Sequence, residues 1–289
     1  MYIMKQILHR IGLFILILIN GFSVLYALEQ NGTAQSFYDH GYQQYIQGKY
    51  NSAIADYTKS IQLDPQYINA YYSRGAAYSK QQKYKLAIAD YTQVIKLNPL
   101  YIEAYTNRAV AYNARKEYSA AIADYTQAIK LNPQLAQAYT NRGVIYNVQG
   151  KPDLAIADYT QSININPQMP ETFSNRGNVY FQQAKYDLAI ADYSQAIKIN
   201  PLFTLGYDNR GKTYAVQGKN DEAIADFTQV IKLNPRHAGA YYNRGFVYYN
   251  QKDFKSARQD WEKALKLDPT GQNGKMAKDN LQHLTNNGY

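Results

Sequence analysis

The sequence predicts an all-α fold, a solenoid of antiparallel helix pairs closed by a C-terminal capping helix. Three observations predict it. Seven of the nine prolines, Pro65, Pro99, Pro133, Pro167, Pro201, Pro235 and Pro269, fall 34 residues apart. Each follows Asp or Asn: Asp64, Asn98, Asn132, Asn166, Asn200, Asn234 and Asp268. Between them, apolar and small residues recur twice per period at helical spacing. A fixed period of this length marks an array in which each module is one supersecondary unit stacked on the next. Such an array offers a long binding surface rather than an enclosed catalytic pocket.

The N-terminus reads as an export segment. Lys5, His9 and Arg10 precede an apolar run from Ile11 to Ile19, which Asn20 and Gly21 interrupt before Ala27. A basic head, a short apolar stretch and a small residue predict a signal peptide over residues 1–27. The alternative is an uncut membrane anchor through residues 11–28, a stretch just long enough to span a bilayer. Both put the repeats outside the cytoplasm, because the positive residues stay inside. The protein is therefore expected to be periplasmic or secreted, or anchored in an inner membrane. Residues 28–33 read as a short linker. The chain has no cysteine. Disulfides, thiolate zinc sites, cysteine nucleophiles and cysteine-linked lipid are thereby excluded.

The modules occupy residues 34–269. In the second, Tyr71, Gly75 and Tyr78 fall on one helix face. A second stripe, Ala87, Tyr91, Val94 and Ile95, follows the break at Lys83 and Tyr84. Each stripe fits a helix of about 12 to 14 residues. Small residues at Gly75 and Ala87 allow the two helices to approach. The Asx-Pro pair ends the second helix, and the proline is expected in the first turn of the next. Beyond Pro269 the pattern stops. Gly271 and Gly274 precede a narrow stripe of Ala277, Leu281 and Leu284, which predicts a single capping helix within 270–289.

The repeated residues resemble the tetratricopeptide repeat family. Its run of aromatic, small, tyrosine, alanine, aromatic, small and proline is met in the third module by Tyr105, Ala109, Tyr112, Ala121, Tyr125, Ala128 and Pro133. The fifth carries Phe173, Gly177, Tyr180, Ala189, Tyr193, Ala196 and Pro201, and the seventh ends in Trp261, Ala264 and Pro269. Seven modules fit this pattern. The resemblance implies a right-handed superhelix with a concave groove. It also implies a non-catalytic scaffold with a protein or peptide partner and no cofactor. The first module departs from the others, with His40 where they have arginine and Gln44 where they have tyrosine, as a terminal module can.

Two ladders run through the modules. Arg74, Arg108, Arg142, Arg176, Arg210 and Arg244 recur at one position, and Asp56, Asp90, Asp124, Asp158, Asp192, Asp226 and Asp260 at another. Their near-equal number predicts a structural ion-pair ladder; an arginine row for acidic ligands is the alternative. Asn107, Asn141, Asn175, Asn209 and Asn243 form the second ladder, with Asp39 and Ser73 in the earlier slots. The resemblance places this position in the groove. An amide both donates and accepts, so such a row can hold a peptide backbone without regard to sequence. An ordinary surface position is the plainer reading. Tyr42, Tyr45, Phe246 and Tyr249 complete the predicted groove. The lysines of the carboxylate clamp known in the family are missing: the matching positions carry Tyr38, Tyr42, Ser73, Glu103 and Asn107.

Lys49, Lys83, Lys116, Lys151, Lys185, Lys219 and Lys252 sit between the paired helices. They read as one solvated edge, with an anionic surface as the other possibility. The formal charge of +9 points the same way only weakly. Gly206 to Thr213 matches a phosphate-binding loop, G-x-x-x-x-G-K-[ST], yet it falls inside a helical stripe in phase with Asn175, Arg176 and Gly177. A helix interior has no free amides for phosphate. No nucleotide is expected, and Lys212 reads as an ordinary exposed residue. His9, His40, His237 and His283 are isolated, and the acids recur with the period rather than converge. No metal, no enzyme activity and no nucleic acid are expected.

Overall fold

A computed structural model describes residues 32–289. The predicted export segment lies outside the described residues. Among the described residues there are fifteen helices and no strands. They fall into two compact units, divided after Pro133. The first holds α1 (Ala34–Ile46), α2 (Tyr50–Leu63), α3 (Ile68–Lys80), α4 (Tyr84–Leu97), α5 (Ile102–Ala114) and α6 (Tyr118–Leu131). The second holds α7 (Ala136–Val148), α8 (Pro152–Ile165), α9 (Pro170–Gln182), α10 (Tyr186–Ile199), α11 (Thr204–Val216), α12 (Asn220–Leu233), α13 (Ala238–Asn250), α14 (Phe254–Leu267) and α15 (Gln272–Asn286). Within each unit every helix packs on the next, so the chain is a solenoid of helix pairs.

Each pair is built around one large side chain. Tyr57 and Tyr91 in the first unit, and Tyr159, Tyr193, Phe227 and Trp261 in the second, are almost wholly buried. The facing helix makes room with glycine. A Cβ on Gly177 would sit 2.8 Å from the Tyr193 ring, and one on Gly245 would sit 2.8 Å from Trp261. The close approach at Gly75 brings the Tyr91 ring to 2.9 Å from where its Cβ would be. In α15, Ala277 and Leu284 are fully buried and share a core with Ala257, Trp261 and Ala264. The last helix therefore covers apolar surface that the seventh pair would otherwise expose.

The turn inside each pair is a Schellman motif. Gly48 N–H donates to Tyr45 O and Lys49 N–H to Gln44 O, both at 2.9 Å, which satisfies carbonyls left open at the helix end. The motif needs one left-handed residue. Gly48, Gly150 and Gly218 supply it without cost, whereas Gln82, Lys116, Ala184 and Lys252 adopt positive φ with a side chain. This splits the predicted lysine edge. Lys116 and Lys252 occupy the left-handed position, one residue before the slot held by Lys49, Lys83, Lys151, Lys185 and Lys219; Glu117 and Asp253 take that slot instead. A left-handed alanine is strained by the contact of its Cβ with the backbone. Ala184→Gly is accordingly expected to stabilise the fold by about 1 kcal/mol, read as a higher urea midpoint at unchanged slope.

The turn between pairs carries the Asx-Pro signature, but not as expected. α3 starts at Ile68, so Pro65 lies in the turn and not in the first helical turn. Before most of the periodic prolines the side-chain oxygen of the preceding residue accepts the N–H two residues on: Gln66 to Asp64 at 2.9 Å, Leu100 to Asn98 at 3.0 Å, and Arg236 to Asn234 at 3.1 Å. This Asx turn explains why the residue is Asp or Asn. The two prolines outside the period, Pro152 and Pro170, are the ones that open helices.

Candidate functional site: the face of the first helices

The arginine ladder sits behind the surface and fixes how the modules stack. Arg176 donates from Nε and Nη2 to the two Asp192 oxygens at 2.9 and 2.8 Å, and from Nη1 to Thr160 Oγ1 at 3.0 Å. One guanidinium thus joins α9 to α10 in its own pair and to α8 of the pair before. Phe173 and Tyr180 flank it, each ring centroid 5.8 Å from the guanidinium carbon. Arg210 and Arg244 repeat the arrangement on Asp226 and Asp260, with Ser194 and Thr228 as third partners. In the first unit Arg74 and Arg108 do the same on Asp90 and Asp124. Arg142 pairs with Asp158. At Asp56 the partner is His40, at 2.8 Å. The hydrogen bonds that Arg176 donates to Asp192 raise its pKa, against the opposing effect of burial. These arginines are bound on both sides, which leaves little of them for an acidic ligand.

In the first unit, α1, α3 and α5 line a cavity of about 370 Å³. Tyr42 and Tyr45 stand in it together with Ser73, Lys80 and Asn107. Asn107 donates to the Tyr72 hydroxyl at 2.8 Å. In the second unit, the first helices bear two cavities. One, of about 320 Å³, is edged by Asn147, Asn178, Gln182, Asn209 and Lys212. The other, of about 360 Å³, is lined by Asn243 and Phe246 with Val216, Phe227 and Tyr242.

The asparagine row is not uniform. Asn141 accepts from Gln137 at 2.8 Å. Asn209 donates to Asn178 at 3.0 Å, and the same Asn178 oxygen accepts the Tyr193 hydroxyl at 2.8 Å. Asn175 is half-buried in the same slot. Tyr249 is half-buried in the repeat slot that Tyr45 holds in the first module, its ring 5.7 Å from Trp261 and 5.5 Å from Phe254. Asn178, Gln182 and Lys212 were not among the predicted groove residues. They stand three or seven positions after Asn175 and Asn209, on the same helix face, so the spacing could have found them.

The octet from Gly206 to Thr213 lies wholly inside α11. Thr213 Oγ1 donates to Asn209 O at 2.7 Å, and Lys212 Nζ to Asp208 at 2.5 Å. Lys212 is exposed, as the sequence predicts, and it neutralises the buried Asp208 carboxylate, whose other oxygen has no hydrogen-bond partner. No group of three or more acids or histidines that could hold a metal occurs among the described residues.

A tetratricopeptide repeat model matches residues 68–101, 102–135, 136–169, 170–203 and 238–270, and a second TPR repeat model matches 41–82 and 211–252. No curated protein sequence matches the chain. Solved structures do. YrrB, described as a TPR protein with an unusual peptide-binding site, is 26% identical with a TM-score of 0.56, over 65% of this chain and 97% of its own. MamA is 26% identical with a TM-score of 0.56, over 59% of this chain and 93% of its own. The C-terminal part of a TPR protein from Cytophaga hutchinsonii, at 19% identity, shares the fold with a TM-score of 0.70 over 83% of this chain and 98% of its own. With repeat models matched over more than half its length, the chain belongs to the tetratricopeptide repeat family.

Proposed function

We propose that the protein is an exported, non-catalytic scaffold that holds an extended segment of a partner protein against its first-helix face. That the fold serves protein–protein interaction follows from the family. The finer reading rests on one observation: a row of amides at a constant slot, with flanking slots that change from module to module. Three positions after each row residue stand Ala76, Val110, Val144, Asn178, Lys212 and Phe246. A constant amide suits a constant backbone, and variable neighbours suit particular side chains. The peptide-binding site described for YrrB, a relative above a quarter identical, supports a polypeptide ligand. Export is carried by the signal-like segment over residues 1–27. The uncut alternative, an envelope accessory factor anchored through residues 11–28, is favoured by the length of that apolar stretch. N-terminal sequencing of the exported protein separates the two: a start near Leu28 means cleavage.

The groove is tested by Asn141, Asn175 and Asn209 changed together to alanine. A partner is first fixed by crosslinking in the native envelope and its segment synthesised. The triple variant is expected to bind that segment about 1.5–4 kcal/mol more weakly, at 0.5–1.5 kcal/mol net per hydrogen bond, with nearly the same melting temperature. Normal binding with early unfolding would mean that the row is structural.

A further inference from the structure

The edge formed by the turns inside the pairs carries different chemistry in the two units. In the first unit its three turns present Lys49, Lys80, Lys83, Lys85, Arg115 and Lys116, all exposed, against one acid, Glu117. Of these six, only Arg115 is paired among the described residues, and its partner is that same Glu117. In the second unit the first three turns each set one lysine two positions before an aspartate: Lys151 and Asp153, Lys185 and Asp187, Lys219 and Asp221. The slot of these aspartates holds Asn51, Lys85 and Ser119 in the first unit. Stacking does not require the acid. Gln217 donates to Asp187 at 2.9 Å, and Gln81 donates to Asn51 at 2.8 Å in the same way. What sets the first unit apart is therefore the charge of its edge.

Aromatic and aliphatic side chains accompany these cations. Tyr50, Tyr84 and Tyr118 open the second helices of the first unit and are half-buried. The corresponding residues of the second unit are Pro152, Tyr186, Asn220 and Phe254. Ile46, 59% exposed, ends α1, and Leu86, 46% exposed, stands in the first turn of α4. A tyrosine has an apolar ring and a polar tip, and it gathers where water meets hydrocarbon. A lysine lays its methylenes along apolar surface while its ammonium reaches outward. A polyanion in solution would use the charges and leave Ile46 and Leu86 in water. An anionic bilayer interface takes both.

We infer that the turn edge of the first unit, from Lys49 to Lys116, docks on an anionic lipid bilayer, with its ammonium groups among the headgroup phosphates and Ile46 and Leu86 at their base. The charge is spread over three turns, so the contact reads the net charge of the membrane surface and not one headgroup. Bilayer contact is a property separate from the groove, and it requires neither a cut nor an uncut N-terminal segment. No residue of the asparagine row lies in these turns, so partner binding and membrane contact can be separated by substitution.

The test is amine labelling of the full-length chain, read lysine by lysine by mass spectrometry. It is run with vesicles of mixed phosphatidylglycerol and phosphatidylcholine, with vesicles of phosphatidylcholine alone, and with polyglutamate at equal charge. On the mixed vesicles Lys49, Lys80, Lys83, Lys85 and Lys116 are expected to label about fivefold more slowly, the factor for one lysine held at an anionic leaflet. Lys151, Lys185 and Lys219 should label at the same rate throughout. Phosphatidylcholine alone should protect none of them. An uncut N-terminal segment would enter both kinds of vesicle, so protection that depends on phosphatidylglycerol belongs to the edge. Lys83→Glu together with Lys85→Asp copies Glu117 and Asp153, which the repeat already carries at these slots, so this variant should keep its helical circular dichroism. It should restore the labelling of Lys49, Lys80 and Lys116. Equal protection of both units, protection by phosphatidylcholine, no protection, or protection that survives the double variant overturns the inference. Polyglutamate that protects as well as the mixed vesicles also overturns it, and assigns the edge to an acidic polypeptide.

Discussion

Arg176→Ala is expected to destabilise the protein by about 3–5 kcal/mol, the cost of leaving a buried acid without its counter-ion. The arginine side chain is 16% exposed and Asp192 8%, so solvent can repair little of the loss. The variant also frees Thr160 Oγ1 and removes the cation between Phe173 and Tyr180. Chemical denaturation measures the effect. Adding Asp192→Ala should cost less than the sum of the two single changes, because the second change removes a charge already unpaired. Replacing the pair by Met and Leu should recover much of the stability, since a buried pair contributes little beyond an apolar pair of similar size. Strict additivity would mean that the guanidinium and carboxylate do not depend on each other, and the ladder would lose its structural meaning.

Alkaline unfolding is the second large effect. Burial raises the pKa of Tyr57, Tyr91, Tyr159 and Tyr193 above the ordinary value of 10.0. The sign follows from which state gives up protons. Above about pH 10 the unfolded chain ionises these phenols, while the folded chain keeps them neutral. The folded state then holds more protons, so stability is fully present below pH 10 and falls as pH rises. Each phenol held neutral contributes a slope of about 1.4 kcal/mol per pH unit, and four together roughly 5. Absorbance at 295 nm followed beside helical circular dichroism checks this. Most of the 31 tyrosines should titrate with the helices intact, and a final fraction only as the helices melt. Full tyrosine ionisation with undiminished helix content would contradict the buried placement.

The period, the paired helices and the capping helix were legible because each repeats a local rule. The rule is a stripe at helical spacing, a small residue opposite a large ring, or an Asx-Pro break. The ion-pair partners were legible only as two rows. Nothing in the sequence indicated that Arg142 would take Asp158 rather than Asp124. That choice depends on which helix face the guanidinium crosses, and Asp158 lies on the second helix of the same pair. The proline position was misread for a related reason. Proline is permitted both in a first helical turn and in the turn before it, and the Asx hydrogen bond to the next amide but one decides for the latter. The glutamines at the ends of the first helices gave no signal at all. Gln217 and Gln251 donate back across the module boundary to Asp187 and Asp221 at 2.9 and 3.0 Å, contacts between residues 30 apart that only stacking brings together.

The candidate binding face divides in the same way. By itself the sequence determined that an amide recurs at one helical slot in five modules, because a 34-residue period repeats both residue type and helical phase. It could not determine which of those amides remain available. Asn107 and Asn209 are engaged by Tyr72 and Asn178, side chains 35 and 31 residues away. The tyrosine-walled cavity was likewise decided only in three dimensions. Ser73, Ala76 and Ser79 are unremarkable small residues in one dimension. They become a hole only when the larger side chains of the modules on either side stand next to them, since packing between modules, and not composition within one, sets where space is left.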